Sequence, residues 1–152
     1  MRAAIGLGLC AVVLATSSLV AGQGDKGKDD KFDPAKLVGD WKFVGGVKNG
    51  EKMAEDAMKK LKCSLTKENF TLENEGGKFV MKYVLDTKKT PIGIKIEITE
   101  GPIGVGSKSE GIIELKGDTL KLCYAAMGGD APKTFESKKD TDVNLFEMKR
   151  SK

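Results

Sequence analysis

Ile92, Ile94, Ile96 and Ile98 occupy every second position of one segment, with Gly93, Lys95 and Glu97 between them. A period of two sends alternate side chains to opposite sides of an extended chain, so the segment reads as a strand with one buried face and one wet face. Phe79, Met81, Tyr83 and Leu85 repeat the pattern after Gly76-Gly77, and Leu120, Leu122 and Tyr124 repeat it after Gly117-Asp118. Glycine-bearing dipeptides of this kind favour tight hairpins. Shorter candidates of the same character run over 41–47, 61–66, 70–73, 112–115 and 143–149. Segments that recur about every ten residues between turn residues have the rhythm of a β-sandwich or barrel. The expected fold is an all-β antiparallel barrel of about eight strands, whose interior is filled by side chains or holds one small ligand.

One stretch has helical spacing. Met53, Ala54, Ala57 and Met58 recur among Glu55, Asp56, Lys59 and Lys60, which predicts a turn or two of helix after the first strand. A packed connector is the plainer reading of it, and a lid over a barrel mouth is the functional one. Gly93, inside the isoleucine strand, marks either a bend at a barrel corner or a close approach of backbone or ligand.

The chain opens with one positive charge at Arg2, an apolar stretch from Ala3 to about Ala15, and small residues through Val20-Ala21-Gly22. That order is the order of a secretory signal, expected to be cleaved near Ala21 or Gly22. The apolar run is shorter than the roughly 20 residues a membrane span needs, and Cys10 lies within it rather than at a lipidation site. Residues 23–36 are charged and poor in large apolar side chains, the composition of a flexible tether, and the domain is expected over 37–150. Removing residues 1–22 of 152 leaves 130, enough for one domain. The expected address is therefore exported, periplasmic or extracellular, with no stable membrane span after cleavage.

There is no histidine. Its absence removes the commonest general base, the usual serine and cysteine triads, and most zinc and copper sites. Of the carboxylates in or beside the central strands, Glu97 alternates with the isoleucines and Glu114 falls opposite Ile113 and Leu115, so solvated faces account for both. The glycines between Glu100 and Gly106 lack the lysine and hydroxyl residue of a phosphate loop and read as a hairpin loop. After signal removal 25 basic residues face 22 acidic ones, interleaved along the chain, which is a solvated surface rather than a nucleic-acid footprint. No enzyme activity, metal or cofactor is expected. Cys63 shares a face with Leu61 and Leu65, whereas Cys123 lies opposite Leu120, Leu122 and Tyr124, so the two read as separate thiols, one inward and one outward.

Gly39-Asp40-Trp41 resembles the start of the first barrel strand in lipocalins, where a tryptophan plugs one end. Lipocalin-like barrels lay an arginine from the last strand across that tryptophan. Arg150 stands near the end of the last strand as the one arginine against 24 lysines after signal removal, and Trp41 is the one tryptophan. A flat guanidinium stacks on an indole and donates to nearby carbonyls as an ammonium cannot. A second resemblance covers about 37–150. Leu37-Val38-Gly39-Asp40-Trp41, Asn49-Gly50-Glu51-Lys52, Ile98-Thr99-Glu100-Gly101-Pro102, Gly111-Ile112-Ile113-Glu114-Leu115, Gly117-Asp118-Thr119-Leu120-Lys121-Leu122-Cys123-Tyr124 and Pro132-Lys133-Thr134-Phe135 are similar to a family of exported domains of unknown function that is expanded in planctomycete bacteria. The resemblance implies a lipocalin-like fold and an exported address, and carries no activity. This chain has Ile113 where members tend to have tyrosine, and Ala131-Pro132 where many have Arg-Pro.

The function these features suggest is a non-catalytic binding module. A small apolar molecule would sit inside the barrel against Phe79, Met81, Tyr83, Ile94, Ile96, Ile98, Leu120 and Leu122. Should those side chains fill the interior, the alternative is an envelope or extracellular protein-interaction domain, with a protein partner of unknown identity.

Overall fold

Nine strands follow one another in the computed structural model, which describes residues 32–126 and 128–152. They are β1 (Gly39–Lys48), β2 (Glu51–Lys52), β3 (Lys62–Leu65), β4 (Asn69–Asn74), β5 (Gly77–Asp86), β6 (Ile92–Glu100), β7 (Lys108–Lys116), β8 (Thr119–Ala125) and β9 (Val143–Arg150), with helix α1 (Glu55–Lys59) between β2 and β3. From β3 onward each strand pairs antiparallel with the next, and β1 pairs with both β3 and β9. Eight strands therefore close into a barrel. β2, which the sequence pattern does not reveal, pairs only over Val47↔Lys52 and Lys48↔Glu51. It follows the Asn49-Gly50 turn, in which both residues have positive φ, 48° and 80°.

Alternating strand directions sort the connections to two ends. At one end lie the short turns β3–β4, β5–β6 and β7–β8, the start of β1 and the finish of β9. At the other lie the β1–β2 turn with α1, the β4–β5 turn, the loop 101–107 and the long segment 126–142.

The first end is plugged. Pro34–Leu37 form a 3-10 turn because Pro34 is preset for a first helical position and the Asp33 carboxylate accepts from the Ala35 N–H at 2.9 Å. Leu37 is fully buried, and its carbonyl accepts from Trp41 Nε1 at 2.9 Å. The Arg150 guanidinium lies 4.5 Å from the Trp41 ring. Its Nη1 donates to the Val38 carbonyl at 3.0 Å, Nη2 donates to that of Lys36, and Nε faces Asp118 at 3.5 Å. Phe32 packs on the core, and the capped proline turn sets the residues that follow it against this end of the barrel. The segment expected to be a signal, 1–22, and residues 23–31 of the expected tether 23–36 lie outside the described residues.

Inside, Trp41, Phe43, Met58, Cys63, Leu65, Phe70, Tyr83, Ile94, Ile96, Ile113, Leu120, Leu122, Phe146 and Met148 form one buried cluster with Leu37. β1 accommodates it with a bulge between Phe43 and Gly45, after which Gly46 faces inward opposite Phe146. The space a Cβ would take on Gly46 is held by the Met53 sulfur and the Phe146 ring. Gly111 is needed for closeness: a Cβ there would collide with the Cys123 carbonyl oxygen and stand 2.7 Å from Tyr124 Cβ. A second cluster lies on the outside, where Ile112, Cys123, Ala125 and Val143 are covered by Phe135 and Leu145.

Candidate functional site

The eight side chains expected to line a ligand fall into three groups. Tyr83, Ile94, Ile96, Leu120 and Leu122 are fully engaged in the inner cluster, and Met81 packs against it half-buried. Phe79 and Ile98 are half-buried at the second end, beneath the loop 101–107, where a Cβ on Gly101 would meet Phe79 and one on Gly104 would meet Ile98. The Tyr83 hydroxyl donates to the Thr66 carbonyl at 2.6 Å, so its polar end ties the strand to the β3–β4 turn. Burial raises its pKa. Burial likewise pushes the Tyr124 phenol up to about 12. Of these eight, only Ile94 borders any of the three hollows described below.

The largest of the three hollows, about 670 Å³, lies at the seam between β1 and β3. Its origin is a mismatch of pairing. β1 is matched to β3 only over Gly39–Trp41 and to β2 only from Val47, so among the described residues Lys42–Val44 have no strand partner on that edge. A bare strand edge invites unwanted pairing unless something covers it. α1 does so, with Met58 buried against the inner cluster, and in the link before it Met53 N–H donates to the Gly46 carbonyl at 2.9 Å. What remains open has a floor of Trp41, Phe43, Met58, Leu61 and Cys63 and a rim of Asp40, Lys42, Lys59, Lys62 and Glu73. Cys63 is buried there, and desolvation first, then Asp40, pushes its thiol up to about 12, so it stays protonated and unreactive near neutrality.

The second hollow, about 550 Å³, is on the outer wall. Asp86, Lys95, Glu110 and Ile112 project into it from β5, β6 and β7 around Gly93, and Ala131-Pro132-Lys133 form its far side. Lys95 Nζ meets Glu110 at 2.8 Å, and this hydrogen bond raises the pKa of the ammonium and lowers that of the carboxyl. The third, about 150 Å³, lies between Gly45, Val47, Lys121, Phe135 and Glu147. Sequence reasoning missed the first two because both depend on where strands stop pairing and where a loop lands. The nearest signals were Met53 and Met58, before and within α1, and the lone Gly93.

Cys63 and Cys123 are both free thiols. Among the described residues no group of three histidine, cysteine or carboxylate side chains is placed to hold a metal ion, and no helix is long and apolar enough to cross a membrane. Together these features define an antiparallel eight-stranded barrel with one plugged end, a filled middle and clefts in its wall. Compared with protein-family models, with curated proteins and with solved structures, the chain matches none.

Proposed function

We propose that the chain is an exported, non-catalytic binding module, periplasmic or extracellular, which takes a small apolar or amphiphilic molecule in the seam cleft rather than at the barrel centre. The observation that carries this reading is the cleft itself. Its 670 Å³ falls in the range of small-molecule sites, with an apolar floor and charged side chains restricted to the rim. An acyl chain would lie on Leu61 and Met58, with a polar head among Lys42, Lys59 and Lys62. The resemblance to planctomycete-type exported domains supports the address and is part of the proposal.

Titration of the protein with a fluorescent fatty-acid probe tests it. Saturable binding is expected, weakened at least tenfold in Leu61→Asp, since burying an unpaired carboxylate against the acyl chain is strongly unfavourable. Absence of saturable binding, together with absence of co-purifying lipid in native mass spectrometry, would remove the ligand reading. The continuous inner cluster favours a second reading, an interaction domain whose filled barrel presents its outer wall to a protein partner. A pull-down from an envelope fraction that returned nothing above background would count against it.

A further inference from the structure

The segment 128–142 crosses the outer wall between the end of β8 and the start of β9. Among its described residues no strand or helix is formed, and its side chains include one aromatic, Phe135. Its anchors are individual hydrogen bonds. Gly128 N–H donates to the Lys108 carbonyl at 3.0 Å, Ser137 Oγ donates to the Val143 carbonyl at 2.5 Å and accepts from Gly50 N–H at 3.0 Å, and Thr141 N–H donates to Asn49 Oδ1 at 3.1 Å. Beneath it Cys123 is wholly buried, its Sγ 3.6 Å from the Glu136 carbonyl. Segments with few buried apolar contacts and no backbone ladder open at lower free energy than the sheet they lie on. The barrel does not need this cover to close, because β8 and β9 pair with each other from Thr119↔Lys149 to Ala125↔Val143.

We propose that 128–142 is a strap that lifts from the intact barrel as a unit, and that closure of the strap and an adduct on Cys123 exclude one another. A mixed disulfide adds a sulfur and its substituent where Phe135 and the Glu136 carbonyl now stand. Closure therefore protects the thiol, and by reciprocity an adduct holds the strap open. Because Ala131-Pro132-Lys133 form one side of the outer groove, an open strap also dismantles that groove, which makes the strap a redox-sensitive gate over it. The step is ordinary thiol–disulfide exchange. The opened thiol loses its proton to solvent, the thiolate attacks one sulfur of a low-molecular-weight disulfide, that S–S bond breaks, a Cys123 mixed disulfide forms and one thiolate leaves. No oxidant besides the disulfide is required.

The test uses the full chain with the aryl disulfide 5,5′-dithiobis(2-nitrobenzoate), and the rate at each cysteine is read by peptide mass spectrometry. Cys123 is expected to react with a urea dependence much shallower than that of global unfolding, since the strap lifts while the barrel stays closed. Phe135→Ala should speed Cys123 by about tenfold, the factor expected when part of a phenylalanine's burial is lost, and leave Cys63 unchanged. Ser137→Ala, which keeps the apolar cover, should act in the same direction and less. Modified protein should keep native Trp41 emission. A Cys123 rate with the steep urea dependence of global unfolding would overturn the proposal, as would a Cys123 rate indifferent to both substitutions, or loss of native Trp41 emission on modification.

Discussion

β7 and β8 are buried on both faces, and the two faces are buried differently. Ile113 and Leu122 point into the barrel, where residues from all around the closed sheet and α1 complete the cluster. Ile112 and Cys123, their immediate neighbours, point outward beneath a strap whose one aromatic is itself half-buried. The inner face is built by the sheet and the outer face by a loop that happens to cross it. Alternation in a sequence therefore states which side a residue faces, and leaves open whether that side is wet. The two thiols make the same point. Cys63 belongs to the inner cluster and Cys123 to the outer one, yet both are buried.

The sharpest way to break this comparison is to truncate one residue on each face. Leu120→Ala, at a fully buried inner position, should cost about 2–5 kcal/mol in urea unfolding followed by Trp41 fluorescence. Phe135→Ala, outside, should cost about 1–2 kcal/mol by the same measure, because only part of the ring leaves water. Equal costs would mean that the outer cover stabilises the fold as much as the inner cluster does. At the plugged end, Arg150→Lys gives up the stacked guanidinium and the paired carbonyl contacts and should lower stability by about 0.5–2 kcal/mol, seen as a lower melting temperature. An unchanged melting temperature would show that the Trp41 contact contributes nothing.

Alkaline pH probes the same contrast more gently. The folded state raises the Cys63 thiol from 9.0 to about 12 and the Tyr124 phenol from 10.0 to about 12. Both groups are held in their neutral forms, so the stability they contribute is intact below about pH 9 and is lost as pH rises from there toward 12. Urea midpoints measured at about pH 8 and about pH 10.5 should fall, and Cys63→Ala should flatten the fall. Cys123→Ala should flatten it less, since the strap's opening gives that thiol access to solvent without unfolding.

Most of the barrel was legible in the sequence. The isoleucines of β6 and the alternation of β5 and β8 identify strands whose inner faces converge, and Trp41 with Arg150 marks the ends of the first and last. Other features were not, for reasons that can be named. β2 is two residues long and carries no pattern. The turn at 34–37 hides its anchoring in one capping carboxylate, one proline and a single buried leucine. Alternation identifies inward residues without saying whether they fill the space between them. Tyr83, Ile94, Ile96, Leu120 and Leu122 fill it, and the opening arises instead where β1 stops pairing with β3. The outer cluster did leave a trace. Ile112-Ile113 and Leu122-Cys123 are adjacent apolar residues on neighbouring strands, which is what burial on both faces requires.

Native-state hydrogen exchange, resolved by residue and repeated at low urea concentrations, tests most directly whether strap and barrel are separate units. The amides of Gly50, which donates to the strap, and of Gly128 and Thr141, which donate from the strap to β7 and to the β1–β2 turn, should exchange through an opening that is nearly independent of urea. Those of Ile113 and Leu122 in the β7–β8 ladder should exchange only with global unfolding and its steep urea dependence. A single steep dependence shared by both groups would contradict the division.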